Sequence, residues 1–326
     1  MKIVFFGTPD YVVPILEKLH KAFKSRFGET PIAAVVTQKP QPVGRKKILD
    51  YSPVDTWAHK KNVPIFFDPK DILQTTILAD LGILASYGSL IPDKVISAFP
   101  HGILNIHPSL LPRWRGASPV QATILTEELA GSTIMKIDDK LDHGPIVSQF
   151  KDEILPEDTT QSLRQRLFDR SADVLINLLP AYIEGKVKLR EQEHREATFT
   201  HEIKKEDAFI PPKFLNAALQ GQAFKGRWTI PFIKVNDQTY NVQPTTYNLF
   251  NFIRAMHPWP IAWTYVSLEQ ATKDNSLRRL KILKAHIQKD LVTSNLLLVP
   301  DLVQLEGKSP VSWEQFRQGY PEAKFS

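Results

Sequence analysis

The stretch GILNIHPSLLPRWRGASP, residues 102–119, decides the fold because it passes from a buried strand into a polar loop. It opens as a short apolar run, 103–107, which Pro108 ends. Side chains alternate between the two faces of a strand, so Asn105 and His107 point one way and their apolar neighbours point the other. An amide and an imidazole therefore lie side by side at the C-terminal end of a strand, where open α/β sheets place their chemistry.

The residues before and after this stretch alternate between strand and helix patterns. Apolar, uninterrupted strands are predicted at 3–6, 32–36 and 83–85, and Asp10 is predicted to cap a helix between the first two. Buried strands separated by helices are typical of a parallel sheet in an α/β fold. Further helices are predicted at 93–97, 118–125 and 159–183, and further strands at 133–137 and 146–149.

The second half of the chain has a different character. Residues 186–205 are polar and have no sustained period, which is typical of a linker. Short alternating segments follow, separated by Gly, Pro, Asn and Asp, and they predict a small β domain, with a barrel as one form. These segments lie at 232–235, 264–268, 279–283 and 296–299. We therefore predict a first domain over 1–188, a linker over 189–205 and a second domain over 206–326.

Composition limits the class of protein. Of 326 residues, 42% are hydrophobic and 23% are charged, which indicates a globular chain rather than a disordered one. The net charge of +6 is compatible with a polyanionic partner, although many basic proteins bind none. The absence of cysteine excludes disulfides, thiolate zinc sites and a cysteine nucleophile. The start is too short for a signal peptide and no apolar run reaches the roughly 20 residues of a membrane helix, so we expect a cytoplasmic protein with no membrane partner.

Asn105 and His107 form a candidate catalytic set with Asp142, which lies in the polar turn 138–144. Acyl transfer to an amine needs donors for the developing oxyanion and a group that accepts the proton of the amine. Amide, imidazole and carboxylate supply these functions. The alternative is structural: Asn105 and Asp142 cap turns, and His107 is a hydrogen-bonded core histidine. The spacing alone is not specific and favours this alternative.

Other chemistries fit the sequence less well. Ser109 could complete a hydrolase triad with His107, but no Gly-x-Ser-x-Gly turn surrounds it. The chain has neither the glycines of a dinucleotide-binding turn nor a Gly-Lys-Ser/Thr phosphate loop. The histidines show no i, i+4 pair typical of a helical metal site, so no metal is expected.

Two basic segments have two interpretations each. The loop 38–49 is either a solvated basic loop or an arm that neutralises the phosphates of a nucleic acid. In the second half, strand alternation puts Arg279 and Lys281 on one face, which is either a phosphate-binding stripe or a soluble face.

The segment SLLPRWRGASP at 109–119, with NIHP at 105–108, resembles the signature of the methionyl-tRNA formyltransferase family. The resemblance extends over both halves of the chain. The other matching segments are FGTP at 6–9, TQ at 37–38, PVGR at 42–45, MKID at 135–138, LDHG at 141–144, ATF at 197–199 and IRAMHPWP at 253–260.

This resemblance implies a fold and an activity. Enzymes of the family transfer a formyl group from 10-formyltetrahydrofolate to the α-amino group of methionine on initiator tRNA. Their catalytic domain is a doubly wound, mostly parallel, Rossmann-like sheet, and a smaller C-terminal, OB-like β-barrel grips the tRNA. The resemblance places the catalytic Asn, His and Asp of the family on Asn105, His107 and Asp142.

The resemblance also implies binding residues. Contacts to the folate are expected from Ser109, Leu110, Leu111, Pro112, Leu84, Ser86, Tyr87, Gly88 and Asp138. The basic loop lies against the tRNA in the family, and its functional arginine matches Arg45. With the second-domain stripe, the expected tRNA-binding residues are Arg45, Lys46, Lys47, Arg279 and Lys281. We expect a monomer that needs folate and initiator methionyl-tRNA but no metal.

Three segments depart from the family pattern. Lys46 stands where the family commonly has glycine, a longer stretch lies near 211–245 and suggests an extra hairpin, and His143 and Pro145 replace the usual Thr and Asp.

Two alternatives for the function stay open. One is a folate-dependent N-formyltransferase that acts on the amine of a sugar nucleotide or of glycinamide ribonucleotide; the other is a non-catalytic RNA-binding protein on the same scaffold.

Overall fold

The computed structural model describes residues 1–44, 47–127, 129–268 and 277–325. The chain forms two compact units, and each unit draws on three separate segments. The first unit comprises Met1–Arg115, Leu129–Glu153 and Arg164–Ala197; the second comprises Gly116–Glu128, Ile154–Leu163 and Thr198–Ser326. The units are therefore interleaved along the chain, and the consecutive domain boundaries expected from composition stay a prediction.

Among the described residues, ten strands and five α-helices begin before residue 161. The strands are β1 (Ile3–Gly7), β2 (Ile32–Val36), β3 (Gln41–Val43), β4 (Ile48–Asp50), β5 (Ile65–Phe66), β6 (Leu81–Ala85), β7 (Ile103–His107), β8 (Arg115–Gly116), β9 (Ala130–Lys136) and β10 (Ile146–Asp152). The helices are α1 (Val13–Phe23), α2 (Pro53–Lys61), α3 (Asp93–Ile96), α4 (Pro119–Thr126) and α5 (Thr160–Ile183). Short 3₁₀ turns lie at Asp10–Val12 and Pro69–Gln74.

The first unit is built on a seven-stranded sheet in the order β10-β9-β7-β6-β1-β2-β5. The five strands from β7 to β5 run parallel, whereas β9 and β10 are antiparallel. The predicted mostly parallel sheet is confirmed. Because β6 and β7 are parallel neighbours, their C-terminal ends meet at the same edge of the sheet, beside Asn105 and His107.

Helices cover both faces of this sheet, as in a doubly wound fold. Ile3 and Phe5 of β1 point into a core formed with α1, α2 and α5. Val4 and Phe6 point the other way, into a second core that includes α3. All four side chains are fully buried. The continuous apolar run that predicted a strand buried on both faces is explained by these two cores.

The predicted cap of α1 is wrong. Asp10 lies in the 3₁₀ turn, and its Oδ1 accepts a hydrogen bond from the backbone N–H of Tyr11 at 2.8 Å. The α-helix begins at Val13, with Val12 at the N-cap and no side-chain capping bond. Since Pro14 in the first turn needs no N–H partner, the helix starts here without a polar cap.

Helix α5 has the amphipathic pattern that predicted it. Leu163, Leu167 and Leu175 form a buried stripe, while the opposite side carries charged residues.

Within the described part of the chain, no helix has both the length and the apolar character needed to cross a membrane.

The second unit contains the remaining strands and helices. The strands are β11 (Thr198–Thr200), β12 (Trp228–Val235), β13 (Gln238–Val242), β14 (Trp263–Val266), β15 (Arg278–Lys289), β16 (Leu296–Leu305) and β17 (Val311–Ser312). The helices are α6 (Pro212–Gln220), α7 (Thr246–Ala255) and α8 (Trp313–Gly319). Together with β8, these strands form two four-stranded sheets, in the orders β13-β12-β11-β8 and β14-β15-β16-β17. The pairings of the second sheet are antiparallel, which confirms a smaller β domain.

The hairpin suggested near 211–245 is present. It follows helix α6 and consists of β12 and β13, with Val235 directly opposite Gln238. Asn236 and Asp237 form its two-residue turn and both have positive φ angles, of 50° and 60°. This conformation favours Asn and Asp, and its twist matches that of the flanking strands.

Candidate active site

Asn105, His107 and Asp142 meet at the C-terminal end of β7. The Nδ2 of Asn105 donates to Oδ1 of Asp142 at 3.4 Å, and Nδ1 of His107 lies 3.5 Å from the same oxygen. The three residues are 9%, 4% and 8% exposed, respectively. Asp142 has a left-handed backbone, with φ of 49°, so the turn after β9 directs its carboxylate toward β7. The structure brings the predicted catalytic set together, and its catalytic role stays a prediction.

A backbone contact determines the tautomer of His107. Its Nε2 lies 3.0 Å from the carbonyl oxygen of Trp114. A carbonyl oxygen can only accept, so Nε2 carries the hydrogen. In the neutral ring, Nδ1 then presents a lone pair to the carboxylate of Asp142. Nδ1 of His107 and Oδ1 of Asp142 attract each other only when a proton lies between them, so the pair can receive and hold a proton.

Ser109 is not part of a nucleophilic triad. Its hydroxyl donates to the backbone carbonyl of Arg113 at 2.7 Å. His107 is engaged by Trp114 through one nitrogen and faces Asp142 with the other. The hydroxyl therefore stabilises the loop that follows β7, which argues against the hydrolase alternative.

A buried threonine on β9 holds the predicted folate-binding loop, Ser109 to Pro112. The Thr133 hydroxyl donates to the carbonyl of Ser109 at 2.7 Å and accepts from the N–H of Leu111 at 3.1 Å. The amide of Gln149 donates to Oγ1 of Thr133 at 2.9 Å and to the carbonyl of Leu111 at 3.0 Å. Sequence reasoning missed Thr133 and Gln149, because a polar residue on a strand gives no sign of the loop that it contacts.

Two side chains of this loop face inward. Leu111 is buried and packs with Met135 and Ile146. Leu110 lies over Gly131 of β9, where an added Cβ would overlap with its side chain. Both leucines therefore help to hold the loop on β9.

The predicted folate segment after β6 lies beside the catalytic set. Leu84 is directly opposite Asn105 in the parallel pairing of β6 with β7. Ser86 and Gly88 have positive φ angles, of 48° and 86°, so the chain turns sharply at the end of the strand. The side chain of Tyr87 points into the core, where burial raises the pKa of its hydroxyl.

The backbone of Tyr87 is held from two sides. Its carbonyl accepts from Oγ1 of Thr8 at 3.0 Å and from Nε2 of Gln38 at 3.1 Å. Tyr87 can therefore contribute to a ligand site through its backbone, whereas its ring fills the core.

Asp138 is engaged by a histidine pair. Its Oδ2 lies 2.7 Å from Nδ1 of His143, and the ring of His143 stacks on that of His194 at 3.9 Å. Desolvation, and then the positive charges of His143 and Arg115, lower the pKa of His194. His143, which departs from the family pattern, thus places an imidazole beside the predicted folate contact.

Gln192 and Arg115 connect this cluster to Asp142. Arg115 donates through Nη2 to Oε1 of Gln192 at 2.7 Å and to Nδ1 of His194 at 2.8 Å. The amide of Gln192 donates to the carbonyls of Asp142 at 3.0 Å and of Gly144 at 2.7 Å. Burial lowers the pKa of Arg115, and the negative charges of Asp142 and Asp138 oppose that shift. Sequence reasoning assigned Gln192 to a linker, because its partners lie about 50 to 80 residues away.

The predicted tRNA-binding residues lie in both units. Arg45 and Lys46 fall outside the described residues. Lys47 is exposed and directly precedes β4, which pairs with β3 to form an exposed hairpin. The expected basic arm is therefore a short antiparallel hairpin where the structure describes it.

Arg279 and Lys281 lie on the same face of β15, as predicted. Both line a cavity of about 230 Å³, together with Lys205, Trp259, Pro260 and Trp263. The guanidinium of Arg279 lies 4.1 Å from the centre of the Trp263 ring. Basic groups beside an aromatic wall are suited to binding phosphates and bases.

Among the described residues, no group of three or more His, Cys, Asp or Glu residues could hold a metal ion.

Comparison with known proteins agrees with this geometry. Residues 1–179 match the formyl transferase family model. A methionyl-tRNA formyltransferase of Chloroflexus aggregans is 36% identical over 273 residues, which cover 81% of this chain and 76% of the relative. One of Listeria innocua is 30% identical over 335 residues, covering 98% and 95%.

A solved structure supports the fold as well. An N-formyltransferase of Helicobacter canadensis, in complex with folinic acid and dTDP-3-aminofucose, aligns with a TM-score of 0.59 and covers 90% of each chain. Its sequence identity is 15%, so this similarity concerns the fold. The match to the family model and the two sequence relatives go further: this chain belongs to the formyl transferase family, and within it to the methionyl-tRNA formyltransferases.

Proposed function

We propose that this enzyme transfers a formyl group from 10-formyltetrahydrofolate to the α-amino group of methionine on initiator tRNA. The observation that carries the proposal is the convergence of Asn105 and His107 on one oxygen of Asp142, at 3.4 and 3.5 Å. The new C–N bond forms between the amine and the formyl carbon, and the bond from that carbon to N10 of the folate breaks. The amine loses one proton, and N10 gains one.

His107 and Asp142 are suited to moving this proton. An α-amino group titrates near about 8, so part of it is neutral and can attack without a strong base. After attack, the nitrogen must lose a proton. With Nε2 of His107 donating to Trp114, its Nδ1 is the nitrogen that can receive the proton, and the adjacent carboxylate stabilises the resulting imidazolium.

Asn105 is suited to stabilising the oxyanion. Its amide nitrogen carries two hydrogens, so it can donate one to Asp142 and direct the other at the developing negative charge. The site is largely buried, and a donor held in such surroundings stabilises charge more than it would in water.

The folate is proposed to lie against the loop Ser109 to Pro112 and the turn after β6. Thr133 fixes the first segment, and the pairing of Leu84 with Asn105 places the second beside the catalytic set. Asp138, with its partner His143, adds polar groups in the turn that carries Asp142. These segments supply both backbone polar groups and apolar side chains, which fits a flat heteroaromatic ring.

The tRNA is proposed to contact Arg45, Lys46 and Lys47, which lie in the sequence between β3 and β4, and the basic face of β15. Lys47 is exposed, and Arg279 and Lys281 line a cleft with the half-exposed Trp259. Cationic side chains neutralise phosphates, and an exposed indole can stack on a base.

A transfer assay tests the proposed function. Purified protein is incubated with 10-formyltetrahydrofolate and with methionyl initiator tRNA, charged elongator tRNA or an amino-sugar nucleotide. We expect formylated methionine on initiator tRNA. Transfer to the sugar amine alone would refute the proposed acceptor, and no transfer to any of them would refute the activity.

A substitution at Asn105 tests the catalytic assignment. We expect Asn105→Ala to lower kcat about 10²- to 10³-fold, as the loss of one oxyanion donor does elsewhere, while tRNA affinity stays unchanged. Asn177→Ala is the matched control, since Asn177 is bonded to a carbonyl of its own helix, α5. Equal activity in the two variants would contradict the role of Asn105.

A cytoplasmic location and a monomeric state complete the proposal. Cell fractionation tests the first, and light scattering at several protein concentrations tests the second. A dimer mass in solution would contradict the monomer.

A further inference from the structure

A buried glutamine connects two parts of the active-site region. Gln192 is 4% exposed and follows Arg190, which pairs with Ile146 at the start of β10. Its side chain reaches the turn that carries Asp142. Both ends of this side chain have partners, with Arg115 on the oxygen and two backbone carbonyls on the nitrogen.

We propose that Gln192 is a positioning residue, which fixes the carboxylate of Asp142 relative to Asn105 and His107, with Arg115 as its anchor. The inference rests on the proposed function. It assigns a role in catalysis to a residue outside the predicted catalytic set, which bonds to the backbone of Asp142.

The two hydrogen bonds of the Gln192 amide determine the backbone around Asp142. They hold the carbonyls of Asp142 and Gly144, on both sides of His143. Asp142 has a φ of 49°, a left-handed conformation that Asp adopts more readily than most residues, and the two hydrogen bonds hold the turn in it. The contacts of its Oδ1 to Asn105 and His107, at 3.4 and 3.5 Å, lengthen if the turn shifts.

The chemistry of the position favours glutamine. Arg115 can only donate, so its partner must offer an acceptor; the two carbonyls can only accept, so their partner must offer two hydrogens. A carboxamide meets both requirements. A glutamate of the same shape would keep the contact with Arg115 but turn an oxygen toward the two carbonyls.

Two variants of Gln192 and one control test the inference. Gln192→Glu keeps the shape and the contact with Arg115 while it removes both donors, and Gln192→Leu removes all of the polar contacts. Gln220→Leu is the control, because Gln220 is exposed and bonds to Asn216 within helix α6.

The readout is the single-turnover rate constant with enzyme in excess over methionyl initiator tRNA, at saturating 10-formyltetrahydrofolate. At saturating enzyme this constant does not depend on the fraction of enzyme that is folded, so a merely structural role leaves it unchanged. We expect both Gln192 variants to lower it about 10- to 100-fold, since small misplacements of reacting groups cost rates of this order. The enzyme concentration at half-saturation should stay within about twofold, and Gln220→Leu should match the wild type.

A wild-type rate constant in Gln192→Glu would overturn the inference, because the two carbonyl contacts would then be dispensable. A rise in half-saturation without a fall in the rate constant would also overturn it, because weaker binding or a smaller folded fraction, and not a misplaced Asp142, would then explain the change. Failure of the proposed function is a separate result, since the wild-type enzyme would then not formylate tRNA at all.

Discussion

Replacement of Thr133 by valine tests how the folate-binding loop is held. The Thr133 hydroxyl donates to the carbonyl of Ser109 at 2.7 Å and accepts from the N–H of Leu111 at 3.1 Å. It also accepts from Gln149, which keeps a second bond to the carbonyl of Leu111. Valine has nearly the same shape, so Thr133→Val removes these hydrogen bonds without leaving a cavity.

The cost follows from the groups that lose a partner. Thr133, Ser109 and Leu111 are all buried, so water does not replace the missing bonds. Each buried polar group without a partner costs about 1–3 kcal/mol, and two backbone groups are affected, which gives roughly 2–6 kcal/mol. For a unit of this size, each kcal/mol lowers the melting temperature by about 2–4 °C, so we expect a decrease of roughly 4–24 °C.

Thermal unfolding and folate kinetics measure the effect. The control is Thr123→Val, because the buried Thr123 hydroxyl donates to the carbonyl of Pro119. That carbonyl also accepts the helical hydrogen bond from the backbone N–H of Thr123 in α4, so it keeps a partner in the variant. We expect the control to lose less stability than Thr133→Val, because no buried backbone group loses its only partner. Thr133→Val should also raise the KM for 10-formyltetrahydrofolate. Equal melting temperatures for the two variants would refute the reasoning.

Three further predictions concern other parts of the chain. Burial raises the pKa of Asp55 above its unfolded value of 3.8, so the folded state resists ionisation of this carboxyl and Asp55→Asn should raise the melting temperature at pH 7. This gain should be full above the folded pKa and disappear below pH 3.8, whereas Asp71→Asn, at an exposed position, is the control and should change the melting temperature little. Arg279→Ala should weaken tRNA binding and reduce the slope of log K against log salt by about 1, and an unchanged slope would exclude a phosphate contact. Gly131→Ala would press on Leu110 and on the backbone carbonyl of Phe150, so it should raise the KM for folate and lower the melting temperature; a lowered melting temperature with a normal KM would show that the loop does not depend on the Leu110 contact.

Much of the fold can be predicted from the sequence because its signals are local. The apolar runs in β1 and β2 predict strands buried on both faces, and the structure has a core on each side of them. The stripe of Leu163, Leu167 and Leu175 predicts helix α5. Local signals fail where several partners compete. Asp10 has the side chain of a cap, but it bonds within a 3₁₀ turn, and the helix begins at Val13.

By itself, the sequence determined which residues of the active-site region share a face. Asn105 and His107 alternate on β7, and the surrounding motif identifies the family. The sequence also named Asp142 as their partner, but only the tertiary structure decided which residues support the site: Thr133 from β9, and Gln192 from a segment with no periodic pattern. The physical reason is that periodicity depends on neighbours along the chain, whereas a hydrogen bond across 50 residues depends on how the strands between are ordered and paired.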